Sequence, residues 1–400
     1  MKDFFKKFTY VKLRDIGHIF LFLLALPIAL IYKRKRKDLW LLCDNGTEAS
    51  DNGFVLFDYI RKNYPEQDAV FAVRRNSVDF DKVCATGSTV IYGSFKHWVL
   101  YLTARVNISS QKGGKPNYAV CNLLEVYGIL KNNRVFLQHG IILTDIEFLY
   151  YKNTKMSLFT TSTHREWEYV NENYGYPEGV VQLLGLPRFD LLHDTKANKG
   201  QILIMPTWRE WIGTQSLSSN LKREKASFIS TEYFLRWNSL LNNPKLAELC
   251  EKHGCKVMFY PHRDAQRFID CFSSSNPYVT ICAYPEYTAD RLIKESEFMI
   301  TDYSSVQTDF AYQKKPLAYY HFDYADYCEK QYHLGYFAYE KDGFGPVFEE
   351  EKPLIDYIEK AASTGFENPQ KYLARHSDFF TLYDRENCKR TYDAIKQKWS

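Results

Sequence analysis

Four hundred residues exceed one ordinary hydrophobic core and suit two α/β domains of about 150 to 200 residues, with a cleft between them as the first expectation. A composition of 45% apolar and 25% charged residues excludes a long disordered or low-complexity chain. The net charge of +4 is uneven, with ten Lys or Arg against three Asp in residues 1–40, so the remainder is net negative; this sets aside a nucleic-acid-binding domain, which would spread a basic stripe over its folded face.

The chain opens with the apolar run IGHIFLFLLALPIALIY (16–32), followed by Lys33, Arg34, Lys35, Arg36 and Lys37. As a helix it reaches about 25 Å, slightly short of a hydrocarbon core of roughly 30 Å. The heaviest positive charge follows the run, the reverse of a signal peptide. Residues 1–37 are therefore expected to form a retained segment that associates with an anionic membrane surface and keeps the following domain cytoplasmic. The alternative is a helix packed on the catalytic body.

After this segment, DLWLLCDN reads as a buried strand and DNGFVLFDYIRKNYP as a turn and amphipathic helix. DAVFAVRR, STVIYG, VNISSQ, RVFLQHG, Leu158–Thr161 and VVQLLG continue an alternation of β and α. HDTKANKG reads as a linker, after which QILIMPT, CKVMFYPH, YVTICA, EFMITDY and PLAYYHF restart it. The expected architecture is α/β, with one parallel-sheet domain over 38–195 and a second over 196–400 that includes the terminal helix. Ligands should collect at the carboxyl ends of the parallel strands.

The nine cysteines lie singly, without a CxxC pair, which argues for a reducing compartment and against structural zinc. The 31 Tyr and 28 Phe are first of all core material, with contacts to a sugar or polyol as a second use. GxxxxGK[ST], GxSxG and HExxH do not occur. Asp79 and Asp81 have the DxD spacing but do not end a strong apolar strand, so no metal site is assigned.

FMITDYSSVQTDFAYQ (298–313) runs from an apolar strand into a hydroxyl-rich helix start. Thr301, Ser304 and Ser305 beside first-turn amides can hold phosphate, or simply cap the helix. Asp309, two turns beyond Asp302, can hold a ribose hydroxyl or serve as a buried helix partner. His139 ends the strand Val135–Gln138 and is followed by Gly140; His262 holds the corresponding place after VMFYP, beside Arg263. Two strand-terminal histidines, one in each domain, suit acid–base work near neutral pH. Arg188 and Arg209 also follow strands and have the guanidinium fork that matches phosphate, the alternative being salt bridges to carboxylates such as Asp190 or Glu210. DGFGP (342–346) is a glycine loop that can close on a ligand.

In that order, LWLLCDNGTEASDNGFVLFDYI, VFLQHG, GLPRFDLL, ILIMPTWRE, MFYPHRD, MITDYSSVQTDFAYQKKPLAYYHFD and KDGFGPV resemble the CDP-glycerol glycerophosphotransferase family of teichoic-acid primases and polymerases. The resemblance covers nearly the whole chain after the anchor. It implies a GT-B fold, peripheral attachment to the cytoplasmic membrane face, and transfer of glycerol or ribitol phosphate from CDP-glycerol or CDP-ribitol to a lipid-linked saccharide or polyol-phosphate acceptor, with release of CMP and no required cofactor or metal. By the same resemblance His139 is the base, His262 the second active-site histidine, and Thr301, Ser304, Ser305 and Arg209 are donor-phosphate contacts; Arg188 and Arg263, by their place after strands, are further candidates for a phosphate or acceptor contact. Where family members continue HG with TPLK, this chain has IILT (141–144) and Asp145; where the second histidine often precedes Pro, here Pro261 precedes it. These departures bear on acceptor preference. A single transferase module is expected behind the anchor, of open oligomeric state.

Overall fold

The computed structural model of the chain describes residues 12, 15–214, 221–331 and 333–399, so the rest of the expected anchor segment lies outside the described residues. Two compact units emerge: one running to Ile141 and taking in Glu147–Leu191 and the stretch from Leu382, the other formed by Ile142–Ile146 and Leu192–Thr381.

The first unit is built on β1 (Trp40–Cys43), β2 (Ala69–Val73), β3 (Thr89–Ile91), β4 (Val106–Ser109) and β5 (Arg134–Phe136). After a two-residue strand β6 (Thr144–Asp145) that belongs to the other unit, β7 (Leu158–Thr161) and β8 (Val181–Leu183) complete its sheet. All seven are parallel in the order β3-β2-β1-β4-β5-β7-β8. Every residue of β1 is buried because both faces of the sheet are covered: Trp40 and Leu42 pack in one core with Phe57, Tyr392 and Ile395, while Leu41 and Cys43 pack in another with Trp98 and Ala25. This is why such strands read as continuous apolar runs rather than alternating ones.

One feature of this unit departs from the sequence-based expectation. The terminal helix Asn387–Trp399 belongs here and not to the second unit, since its Cys388, Tyr392 and Ile395 fill the core beneath β1 and its Asn387 backbone bonds Asp190. The join is tight: Gly185 has φ +82°, and a Cβ there would come within 1.7 Å of Asn387 Oδ1. The apolar helix, Ile16–Lys35, also packs in this unit. Phe22, Ala25 and Ala29 form a narrow buried stripe, with Phe22 edge-on to Trp98 at 5.7 Å, while Phe20, Leu23, Leu24, Leu30 and Ile31 stay exposed. The helix is thus docked along one side and open and apolar on the other, and it is long and apolar enough to cross a membrane by length and composition.

The second unit carries β9 (Gln201–Ile204), β10 (Lys256–Phe259), β11 (Val279–Ile281), β12 (Phe298–Thr301) and β13 (Leu317–Tyr320). A short β14 (His333–Leu334) pairs antiparallel with β6, and β15 (Val347–Phe348) closes the main sheet, which is parallel in the order β11-β10-β9-β12-β13-β15. Its core places Ile202, Ile204, Val257, Phe298 and Ile300 against Trp237, Leu240 and Leu246. The glycine loop expected to close on a ligand serves packing instead: a Cβ on Gly345 would sit 1.9 Å from the Leu317 carbonyl oxygen, and one on Gly343 2.3 Å from that of Tyr339.

Both sheets reverse direction of growth once, between β1 and β4 in the first and between β9 and β12 in the second. Beyond the carboxyl ends of strands at such a point the connecting loops diverge and leave a crevice, the usual place for a ligand in this class of sheet.

Candidate active site

In the first unit the switch point is lined by carboxylates. β1 runs into Asp44, and Asp51 caps the helix Asn52–Asn63, accepting from the Asn52 amide at 2.8 Å. Asp51 Oδ2 lies 2.6 Å from His139 Nδ1, and its Oδ1 accepts from Arg188 Nη1 at 2.8 Å. Burial works to raise the Asp51 carboxyl, but the His139 ring and the Arg188 guanidinium outweigh it and hold it at about 2. An ionised carboxylate only accepts, so His139 carries its proton on Nδ1 and presents the Nε2 lone pair, on a ring that is 64% exposed. That is the tautomer of a general base.

The backbone that carries His139 is fixed with equal care for polar groups. Gln138 has φ +65°, a left-handed conformation disfavoured for a side chain of this kind. Its amide is buried and donates to the Thr160 carbonyl and to Glu166 Oε1, both at 2.8 Å. Its own carbonyl accepts from Asn52 Nδ2 at 2.7 Å, and Asn52 Oδ1 in turn accepts from the Arg188 amide at 2.9 Å. Asn52 therefore ties the Gln138 backbone just before His139 to the backbone of Arg188, whose guanidinium pairs with Asp51. Arg188, expected at a phosphate or acceptor, pairs with Asp51 and not with Asp190.

Behind this pair stands Asp44, fully buried, accepting from the Ser110 hydroxyl at 2.7 Å, the Gly53 amide at 2.9 Å and the Asp51 amide at 3.2 Å. Burial, and then the charge of Asp51, push its pKa from 3.8 up to about 7 in spite of those bonds. Between those values the folded protein binds more protons at Asp44 than the unfolded one. The associated stability is full below pH 4 and is lost as the pH rises to about 7. Asp44→Asn is expected to flatten this fall, which runs at up to about 1.4 kcal/mol per pH unit, in urea unfolding from pH 4 to 8. The variant also turns one acceptor into a donor facing the Asp51 amide, so its slope and not its absolute stability is the readout; an unchanged slope counts against the assignment.

In the second unit β12 delivers Thr301 and Asp302 to the switch point. Thr301 is fully buried and donates to the Met205 carbonyl at 2.7 Å, so it is not a donor-phosphate contact. Asp302 turns inward as well: its Oδ1 accepts from the Thr207 and Tyr303 amides, and its Oδ2 lies 2.9 Å from Arg209 Nη1. Arg209 is the second correction. It is wholly buried and committed, with Nε and Nη2 gripping Asp323 at 2.7 and 2.9 Å, Nη1 donating to the Thr207 carbonyl at 2.8 Å, and Tyr303 beneath the guanidinium at 4.8 Å. It locks the loops after β9, β12 and β13 together rather than holding phosphate.

Ser304 and Ser305 keep their place at the loop. Ser304 is 9% exposed with its hydroxyl near the Val306 amide at 3.4 Å; Ser305 is partly exposed and precedes the helix Val306–Tyr312 without a side-chain cap bond. Asp309 is buried within that helix, which matches the buried-partner alternative and not the ribose-facing one. His262 follows β10 and is 43% exposed; its backbone amide donates to the Pro206 carbonyl, and its Nδ1 accepts from the Asp264 amide at 3.2 Å. That bond leaves the neutral ring proton on Nε2, the opposite tautomer from His139. Arg263 lays its guanidinium over Tyr284 at 4.9 Å.

Asp51, Asn52, Gln138 and Asp323 are the residues that sequence reasoning missed, and Asp302, read there as a helix cap, turns inward to Arg209 instead. The available signal for Asp51 was its position: a helix-capping carboxylate just after a buried strand, on the same sheet edge as His139. Asp79 of the discounted DxD accepts from the Ala49 amide at 2.8 Å and pairs with Lys82 at 2.7 Å, so it is engaged within the fold.

The sequence model described as CDP-Glycerol:Poly(glycerophosphate) glycerophosphotransferase matches residues 24–397. The minor teichoic acid biosynthesis protein GgaB of Bacillus subtilis (strain 168) is 35% identical over 367 residues, covering 90% of this chain and 40% of that protein. The teichoic acid poly(glycerol phosphate) polymerase of the same organism is 22% identical over 409 residues, covering 90% of this chain and 49% of the polymerase. The chain thus spans less than half the length of these relatives. Among solved structures, the wall teichoic acid polymerase TagF superposes with a TM-score of 0.65 at 16% identity, covering 99% of each chain, a likeness of fold: two parallel-sheet α/β domains in a GT-B-like pattern. With the match running from the apolar helix to the terminal helix, the chain belongs to the CDP-glycerol:poly(glycerophosphate) glycerophosphotransferase family.

Proposed function

We propose that the protein transfers a polyol phosphate, glycerol or ribitol phosphate, from a CDP-activated donor to a hydroxyl of a lipid-linked acceptor, releasing CMP, in the synthesis of a teichoic-acid or capsular polymer. The observation that carries this reading is the His139–Asp51–Arg188 constellation at the switch point of the first sheet. The acceptor oxygen attacks the β-phosphorus of the donor; the new P–O bond forms as the bond to the CMP oxygen breaks, and the hydroxyl proton passes to His139 Nε2. His262, with its proton on Nε2, and the Ser304–Ser305 loop are the groups suited to neutralise charge on the transferring phosphate and leaving CMP. No cofactor enters this balance. The exposed apolar face of the helix Ile16–Lys35 and its basic last turn hold the enzyme at the cytoplasmic face of the membrane, where such an acceptor resides.

The test is incubation with CDP-glycerol and CDP-ribitol and a panel of lipid-linked acceptors, with CMP release and mass spectrometry of the product. A new phosphodiester with one CMP per transfer is expected. A glycosidic bond formed from a nucleotide sugar would assign the fold to sugar transfer instead, and donor binding without CMP release under every acceptor would reduce the protein to a scaffold.

A further inference from the structure

A cavity of about 600 Å³ in the first unit lies apart from the His139–Asp51 pair. Arg74 follows β2, Tyr92 and Gly93 follow β3, and Asn117 and Tyr118 end the loop that leaves β4, so its floor is the carboxyl edge of the same sheet that carries His139 beyond β5. With neighbouring strands about 4.8 Å apart, Arg74 and His139 stand three strand spacings from one another along that edge, roughly 14 Å. The remaining wall is Lys12 with the first turn of the apolar helix, Asp15 and His18.

The polar groups of this cavity favour an anion. Among the described residues neither Arg74 nor Lys12 forms an ion pair; Arg74 is exposed, with its guanidinium stacked 5.3 Å over the Tyr92 ring, whose hydroxyl is tied to the Gly113 carbonyl. His18 Nδ1 accepts from Trp98 Nε1 at 3.0 Å, and burial lowers its pKa, so the ring is neutral near pH 7 with its proton on Nε2, a donor. Among the described lining residues the one carboxylate, Asp15, is engaged by Asn117 Nδ2 and the Lys12 amide, both at 2.9 Å. Two cations and a neutral donor around a wide, open space match a phosphate or pyrophosphate. Phe20, Leu23 and Leu24, just beyond His18, are exposed on the helix face that the unit leaves uncovered.

We propose that this cavity binds the phosphate or pyrophosphate of the lipid-linked acceptor, with Arg74 and Lys12 as cationic contacts and the acceptor's hydrocarbon tail laid along the apolar helix. The assignment rests on the transferase reading and deepens it. It makes the acceptor, and not the CDP-polyol, the molecule gripped at two places on the first sheet: its lipid phosphate at the β2–β3 side and its reacting hydroxyl at His139.

Binding of farnesyl pyrophosphate carried in phosphatidylcholine vesicles is measured for the wild type, Arg74→Glu, Lys12→Glu and Arg74→Lys, beside the KM for lipid-linked acceptor and the affinity for CDP-glycerol. Loss of a charge-assisted phosphate contact is worth about tenfold or more. Arg74→Glu and Lys12→Glu are expected to weaken farnesyl pyrophosphate binding and raise the acceptor KM by that factor, with CDP-glycerol binding unmoved and Arg74→Lys, which keeps the charge but not the guanidinium fork, losing less than Arg74→Glu. Unchanged binding and KM in both charge reversals would overturn the site, as would an equal loss on vesicles of phosphatidylglycerol without the pyrophosphate, which would make these cations general membrane contacts. If the wild type releases no CMP from any CDP-polyol and yet loses farnesyl pyrophosphate binding on charge reversal, the cavity stands and the transferase reading falls.

Discussion

Asp51→Asn is expected to lower CMP release by about 10²–10⁴-fold while leaving CDP-glycerol binding near the wild-type value. The reason lies in which oxygen does what. Oδ1 accepts from the Asn52 amide and from Arg188, whereas Oδ2 faces His139 Nδ1. An asparagine has one acceptor, and two donors converge on the Oδ1 side, so its amide nitrogen is driven to the Oδ2 side and donates to His139. The imidazole must then accept at Nδ1 and carry its proton on Nε2, the atom that has to receive the acceptor's proton. The histidine stays in place in the wrong tautomer. His139→Ala should cost a similar factor, and the double variant little more than either, because the two residues act as one unit. Wild-type turnover in Asp51→Asn would remove this dyad from the mechanism.

Arg209→Met is expected to destabilise the second unit by about 3–5 kcal/mol, a large share of the 5–15 kcal/mol typical of a folded domain. Removing the guanidinium leaves the carboxylates of Asp302 and Asp323 buried with no cation between them. Neither can escape to solvent, since Asp302 is also bonded to two backbone amides and Asp323 to the Tyr303 hydroxyl. Arg209→Lys should rescue only part of the loss, as a single ammonium cannot reproduce the fork that spans both partners. Urea unfolding reads the effect directly. A variant that unfolds like the wild type and differs only in a raised KM for donor would restore Arg209 to the phosphate.

Much of the architecture was legible because buried parallel strands announce themselves: LWLLC, QILIM and FMIT are apolar without alternation, and each ends in polar residues at the ligand-bearing edge. His139 and His262 were legible for the same reason, as polar residues just past such strands. Their partners were not. Asp51 lies 88 positions from His139, and Asp323 lies 114 from Arg209, and no local pattern links residues that only the closed sheet brings together. The hydroxyls of TDYSS divided: Thr301, still on the strand, turned into the core, whereas Ser304 and Ser305, past the turn, stayed at the loop. The terminal helix shows the same limit on a larger scale. The spacing of Tyr392, Ile395 and Trp399 gives its buried face, but periodicity cannot say which core that face will fill.

That helix also orders events in time. The second unit is nearly continuous in the chain, from Leu192 to Thr381, with only Ile142–Ile146 added from outside that stretch. The first unit has no such independence: Trp40, Leu42 and Phe57 wait for Tyr392 and Ile395, synthesised about 350 residues later, roughly 20 to 70 s at 5–20 residues per second. During that interval the core around Trp40, Leu42 and Phe57 lacks the helix that covers it. The core of the half made first is therefore completed only once Asn387–Trp399 has been made, and deleting that helix would leave Trp40 and Phe57 uncovered.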